Sequence, residues 1–200
     1  MAVNNSPLIL ASASKTRLSV LTKAGIAAEV LKPSADEAAL QDQWQHLLPR
    51  SLAIELAKAK ALSISGTQPG RLILGADQSL DLDGSVLHKA RNTSEAREKL
   101  RALRGRTHQL HSALAMARDG QIMFSHVSTA TLTMRQFSDA FLEDYLAQSG
   151  AEALSAVGCY FYEGPGIQLF ETVEGDVFTI LGLPLLPLLA FLRQQSIILS

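Results

Sequence analysis

Apolar and polar positions change in blocks along the chain, and the first change is abrupt. Leu8-Ile9-Leu10-Ala11 is a short apolar run that predicts a buried strand. It stops at Ser12-Ala13-Ser14-Lys15-Thr16-Arg17, after which Leu18, Leu21 and Ala24 follow at helical spacing. Ser14 is placed as the N-cap of that helix and Gly25 just past its end. Ile26 to Leu31 reads as a second strand, so the chain opens strand–helix–strand. Pro33 ends it, and Ser34-Ala35-Asp36-Glu37 reads as a polar loop. Ser51 to Ser65, rich in Ala, Leu, Lys and Glu, predicts a helix. Leu72 to Asp77 is a buried strand that ends on a carboxylate, and Leu80 to Gly84 alternates and then turns. Thr93 to Arg104 is a helix with Thr93 as its cap. Residues 107 to 135 form two long strands joined at Asp119-Gly120, a strong hairpin signal. Ser138 to Gln148 is a helix that stops at Gly150, Ile167 to Val173 a strand, and Pro184 to Arg193 the last helix.

Helices and strands are interleaved, yet one hairpin is antiparallel, so the pattern predicts an α/β fold with a mixed sheet. Composition narrows this. The 200 residues are 47% apolar and 18% charged, enough for a core and against disorder. The length suits a single domain spanning 1–200, with room for two lobes. A net charge of −1 excludes a general electrostatic affinity for nucleic acid or anionic membrane. The lone Cys159 excludes an intrachain disulfide and reads as a small buried apolar residue. The N-terminal MAVNNSP has no basic region and no apolar core of a signal peptide. The most apolar stretch, Phe178 to Leu192, is too short to span a bilayer and holds two prolines. The expectation is a soluble, cytoplasmic protein.

Chemistry is concentrated in four places. At the opening junction, helix N-terminal N–H groups attract anions, and Ser12, Ser14 and Arg17 could join them. The simpler reading leaves Ser14 as a cap and Arg17 as a surface cation. Asp77 ends a buried strand, where α/β proteins place active-site groups; a turn cap is the alternative. Lys58 and Lys60 lie on opposite sides of one helix, so at most one faces a given cleft. Lys89 precedes the helix at Thr93. Tyr160 to Gly166 sets aromatics beside two glycines, as a binding loop or a packed one. The five histidines show no metal-ligand spacing, and no serine lies in a GxSxG elbow.

Taken in order, ASASKTR, LAKAKA, LGADQ, DLDGSVLHKA, LRGRTH, EGPGIQLFETVEG and GLPL resemble the Maf family of nucleotide pyrophosphatases. The likeness covers Leu8 to Leu192 and is closest to the branch that includes 7-methyl-GTP pyrophosphatases. It implies a Maf/ITPase-like mixed β-sheet flanked by helices, in two lobes with a central cleft. The implied activity is cleavage of a nucleoside triphosphate between its α and β phosphates, with Mg²⁺ or Mn²⁺ and often as a homodimer. The resemblance makes Asp77 the proton acceptor, Ser12, Arg17, Lys60 and Lys89 the phosphate-binding residues, and Glu37 with Asp77 the metal site. Positions tied to base choice fall on Thr16, Gln78 and Glu163. The family's usual prolines are replaced by Lys15 and Ala90, and Thr16 stands where an arginine or bulky aromatic is usual. The other class left open is a catalytically weak nucleotide-binding regulator of cell division or septum formation. Retention of Ser12, Arg17, Lys60, Asp77 and Lys89 speaks against it, because binding alone does not need the acid.

Overall fold

The computed structural model describes residues 8–199. Strands β1 (Leu8–Ala11), β2 (Ala28–Val30), β3 (Ile73–Leu82), β4 (Ser85–Leu87), β5 (Thr107–Arg118), β6 (Gln121–Met134) and β7 (Phe170–Glu174) form one mixed sheet. The order is β2-β1-β3-β5-β6-β7, with β4 also paired to β3. β1 runs parallel to both β2 and β3, and the other pairings are antiparallel. The helices are α1 (Lys15–Lys23), α2 (Glu37–Gln43), α3 (Pro49–Ser65), α4 (Thr93–Leu103), α5 (Asp139–Ser155), α6 (Val177–Ile180) and α7 (Leu185–Gln194). The mixed α/β expectation holds.

Three buried clusters follow from strand alternation. One face of the sheet's first half, with Leu8, Leu10, Leu74, Ala76, Leu114 and Met116, packs on α1 and α7 through Leu21, Leu188 and Leu192. The other face, with Ile9, Ile73 and the alanines of β1 and β5, packs on Ala53, Ala57 and Ala61 of α3. The third cluster gathers α4 and α5 over the far ends of β3, β5 and β6, around Leu80, Leu100, Leu110, Leu132 and Leu142. The long strands β3, β5 and β6 run through all of it and join the two lobes.

Several local expectations are corrected. β3 does not end at Asp77 but continues to Leu82, because β5 pairs it from Ile73 through Asp81. The polar loop at Ser34 to Glu37 runs into α2, capped by Asp36, whose carboxylate accepts from Ala39 N at 3.1 Å. The second strand shrinks to Ala28–Val30. Helix α3 begins at Pro49, suited to a first helical turn. Asn92, not Thr93, caps α4, accepting from Glu95 N at 2.9 Å. Gly150, non-helical at φ 51°, does interrupt the helix as expected, but a second helical stretch follows it to the end of α5 at Ser155. Pro165–Leu169 is a 3₁₀ turn, and the strand begins only at Phe170.

Candidate active site

A gap in strand pairing makes the cleft. On one edge of β3, β1 covers Ile73 to Gly75 and β4 covers Leu80 to Leu82. Residues 76–79 have no strand beside them there, while β5 holds their other edge. Asp77 therefore sits on a rigid backbone facing an opening between the lobes. Its side chain points to the α3 face, as Gly75 does two residues earlier. Gly75 has no room for a side chain: a Cβ would lie 2.1 Å from Ala57 O and 2.7 Å from Ala61 N. Glycine thus lets α3 press onto β3 and brings Lys60 over Asp77.

Lys60, 5% exposed, sets its Nζ 2.6 Å from Asp77 Oδ1 and 2.9 Å from Glu37 Oε2. Lys58 points elsewhere and pairs with Glu55 at 2.8 Å, which answers the choice that helical periodicity left open. Glu37 is the first residue of α2, so the helix the sequence did not reveal is the one that delivers this carboxylate. A cavity of about 260 Å³ adjoins the cluster, lined in part by Ser12, Lys32, Asp36, Glu37 and Lys60.

The junction between β1 and α1 completes the site. Ser12, buried, accepts from Ser14 N at 3.2 Å and from Arg17 Nη1 at 3.1 Å. Arg17 also donates through Nε to Gly182 O at 2.8 Å. Ser14 caps α1 by accepting from Arg17 N at 3.3 Å. Both readings of the junction have a part: Ser14 is a cap, but Arg17 is no free surface cation. Two fixed acceptors hold its guanidinium. Burial pulls the Arg17 pKa down, while the charges of Asp77 and Glu37 pull it back up. Burial pushes the Asp77 carboxyl above the ordinary range, against the opposing pull of Lys60 and Arg17. Lys89 lies on the loop after β4, and its pKa is lowered first by desolvation and then by the charges of Arg17 and Lys60. Cations from both lobes thus share one electrostatic field.

The three positions tied to base choice lie on three different segments. Thr16 lies half-buried in the first turn of α1. Gln78 points to the opposite face of β3 from Asp77. Its amide nitrogen donates to Ser112 Oγ at 2.9 Å, Ile180 O at 3.0 Å and Thr179 O at 3.1 Å. Ser112 Oγ in turn donates to Thr179 O at 2.6 Å. A flipped amide would aim its oxygen at two backbone carbonyls, so the orientation is fixed and only Oε1 remains to meet a ligand. Glu163 pairs with Lys23 at the last residue of α1, at 3.8 Å. Lys15 is exposed, and Ala90 is buried ahead of α4.

Sequence reasoning missed Lys32, Ser112 and the carbonyl oxygens of Thr179, Ile180 and Gly182. A backbone carbonyl leaves no trace in residue type. Ser112 is one serine on a long strand, and Lys32 one lysine in a loop, with no spacing to single them out.

Asp77 and Glu37 are oxygen donors suited to a hard cation such as Mg²⁺ or Mn²⁺, which takes one or two carboxylates and keeps waters or phosphate oxygens. Among the described residues, no group of three or more His, Cys, Asp or Glu side chains could hold a metal unaided. Any metal here would complete its shell with ligand and solvent. Also among the described residues, no helix is long and apolar enough to cross a membrane.

Comparison with known proteins identifies the family. The family profile described as "Maf-like protein" covers residues 7–195, and the chain belongs to the Maf family. A relative from Nitrobacter winogradskyi, named "Nucleoside triphosphate pyrophosphatase", is 48% identical over 96% of this chain and 95% of its own. Another from Mesorhizobium japonicum, named "7-methyl-GTP pyrophosphatase", is 49% identical over 96% of this chain and 97% of its own. Among solved structures, a HAM1 protein from Coxiella burnetii aligns with TM-score 0.45 and 15% identity over 64% of this chain and 72% of that one, a likeness too loose to argue from.

Proposed function

We propose that this chain is a nucleoside triphosphate pyrophosphatase: it hydrolyses the α–β phosphoanhydride to give a nucleoside monophosphate and pyrophosphate. One observation carries the reading. A buried carboxylate, Asp77, faces a cleft with Lys60 at 2.6 Å and shares a field with Arg17, so an acid sits inside a cationic pocket. The family's pyrophosphatase relatives lend their activity to that pocket.

A triphosphate carries about four negative charges at neutral pH, so catalysis is chiefly positioning and charge neutralisation. Arg17, fixed by Ser12 and Gly182, offers the rest of its guanidinium fork to phosphate oxygens. Lys89 approaches from the other lobe, and Lys60 lies between. Ser12 Oγ accepts two hydrogen bonds and keeps its own proton to donate. Asp77 takes the proton of the attacking water at a carboxylate oxygen, and a raised pKa makes it a better base at neutral pH. Asp77 and Glu37 are the residues that would hold a divalent cation, which would neutralise phosphate charge as a Lewis acid. Thr16, Gln78 and Glu163 are the positions through which we expect the base to be chosen.

The experiment is a panel of nucleoside triphosphates, including 7-methyl-GTP and other modified bases, incubated with Mg²⁺ or Mn²⁺ and assayed for pyrophosphate. Pyrophosphate and monophosphate in equal amounts are expected from at least one of them. Nucleotide binding with no release from any member would favour a binding protein over an enzyme.

A further inference from the structure

The two carboxylates of this site already hold a cation, and it is the protein's own. Lys60 Nζ lies 2.6 Å from Asp77 Oδ1 and 2.9 Å from Glu37 Oε2. The three groups come from three elements, α3, β3 and α2, so the bridge is a built feature rather than a local pair. Lys60 is almost wholly buried, and water screens the contact little. Asp77 and Glu37 are also the carboxylates a divalent metal would use. An ammonium at hydrogen-bonding distance and a dication at bonding distance cannot share the same oxygens. The lysine stem is long and rotatable, however, and the adjoining cavity, flanked by Ser12 and Lys32, offers the ammonium another place to go once an anion enters.

Building on the pyrophosphatase reading, we infer that Lys60 is an internal placeholder that keeps metal out of the empty site and yields the carboxylates only when phosphate arrives. Nucleotide binding then precedes metal binding. Lys60 passes from the carboxylates to the phosphates, so one residue holds the empty site together and later binds substrate. The bare enzyme stays metal-free in a cell rich in divalent ions.

The test reads metal binding directly. Free Mn²⁺ is followed by its electron paramagnetic resonance signal while wild type, Lys60→Met and Lys60→Arg are titrated without nucleotide, with circular dichroism as a check on folding. Wild type and Lys60→Arg should leave Mn²⁺ free. Lys60→Met should bind one ion per chain at least about tenfold more tightly. Wild type binding Mn²⁺ as tightly as Lys60→Met overturns the inference, as does a folded Lys60→Met that binds no better than wild type. A second measurement needs no variant: the α,β-methylene analogue of a nucleotide that the panel shows to be hydrolysed should bind wild type in excess EDTA, and failure to bind there also overturns it. Pyrophosphate release by wild type, assayed separately, tests the underlying reading. An enzyme that releases pyrophosphate yet binds Mn²⁺ tightly on its own would sink the placeholder role alone.

Discussion

At the scale of the residue, Asp77 is burdened by its own charge. Burial raises its pKa above the ordinary carboxylate value by more than Lys60 and Arg17 lower it. A carboxyl raised in the folded state favours folding while protonated, below its unfolded pKa. That contribution is lost as pH rises through the folded pKa. The stability of Asp77→Asn relative to wild type should therefore fall as pH is lowered, whatever the loss of the Lys60 pair costs; melting curves across pH check this. The same variant should lose about a thousandfold in turnover. Arg17→Lys keeps the charge but loses the fork that reaches both Ser12 and Gly182. We expect nucleotide affinity to fall about tenfold in calorimetry, because two hydrogen bonds that fix the cation are lost. The types of these residues were legible in the sequence, and the ordered motifs supplied their roles. Their hold on one another was not, since the partner of Arg17 is a carbonyl 165 positions away.

At the scale of the element, the spacing between α3 and β3 governs the site. Gly75→Ala would force its Cβ against Ala57 O and Ala61 N, both backbone atoms that cannot step aside. The helix must lift off the strand, and Lys60 lifts with it. The expected cost is about 3 kcal/mol in denaturant unfolding, with activity falling even in the folded fraction. Strong periodicity made β1, α1, α3, the β5–β6 hairpin and α7 readable in advance. α2 was hidden: it spans only Glu37–Gln43 and buries no residue, so it leaves no apolar stripe. The apolar run from Leu72 stops at Asp77, and the polar Gln78 and Ser79 follow it in the sequence. In the structure both polar side chains are satisfied, Gln78 by Ser112 and the α6 carbonyls, Ser79 by Pro49 O at 2.7 Å. Buried polarity that finds partners lets a strand continue where the pattern alone suggests a stop.

At the scale of the molecule, the cleft exists because β1 and β4 share one edge of β3 and leave residues 76–79 uncovered between them. No local window of sequence contains that fact, since it depends on pairings between distant segments. The lobe beyond the cleft carries a pH sensitivity of its own. His108 is buried, bonded through Nε2 to the Tyr160 hydroxyl at 2.8 Å, and its pKa is pulled from 6.5 to about 4 by burial. A base depressed in the folded state favours folding above its unfolded pKa, and that contribution is lost as pH falls toward the folded one. Stability should thus decline by about 3 kcal/mol between pH 6.5 and 4 from this group. His108→Asn should flatten that part of the unfolding free energy against pH, whatever its stability at neutral pH. The central claim, however, concerns which bond is cut and which residue takes the proton. Its most direct measurement is ³¹P NMR of a nucleoside triphosphate, from the substrates the panel selects, turned over with Mg²⁺ by wild type and by Asp77→Asn. The account predicts monophosphate and pyrophosphate in equal amounts from wild type and almost none from the folded variant; diphosphate with orthophosphate, or an undiminished Asp77→Asn enzyme, would contradict it.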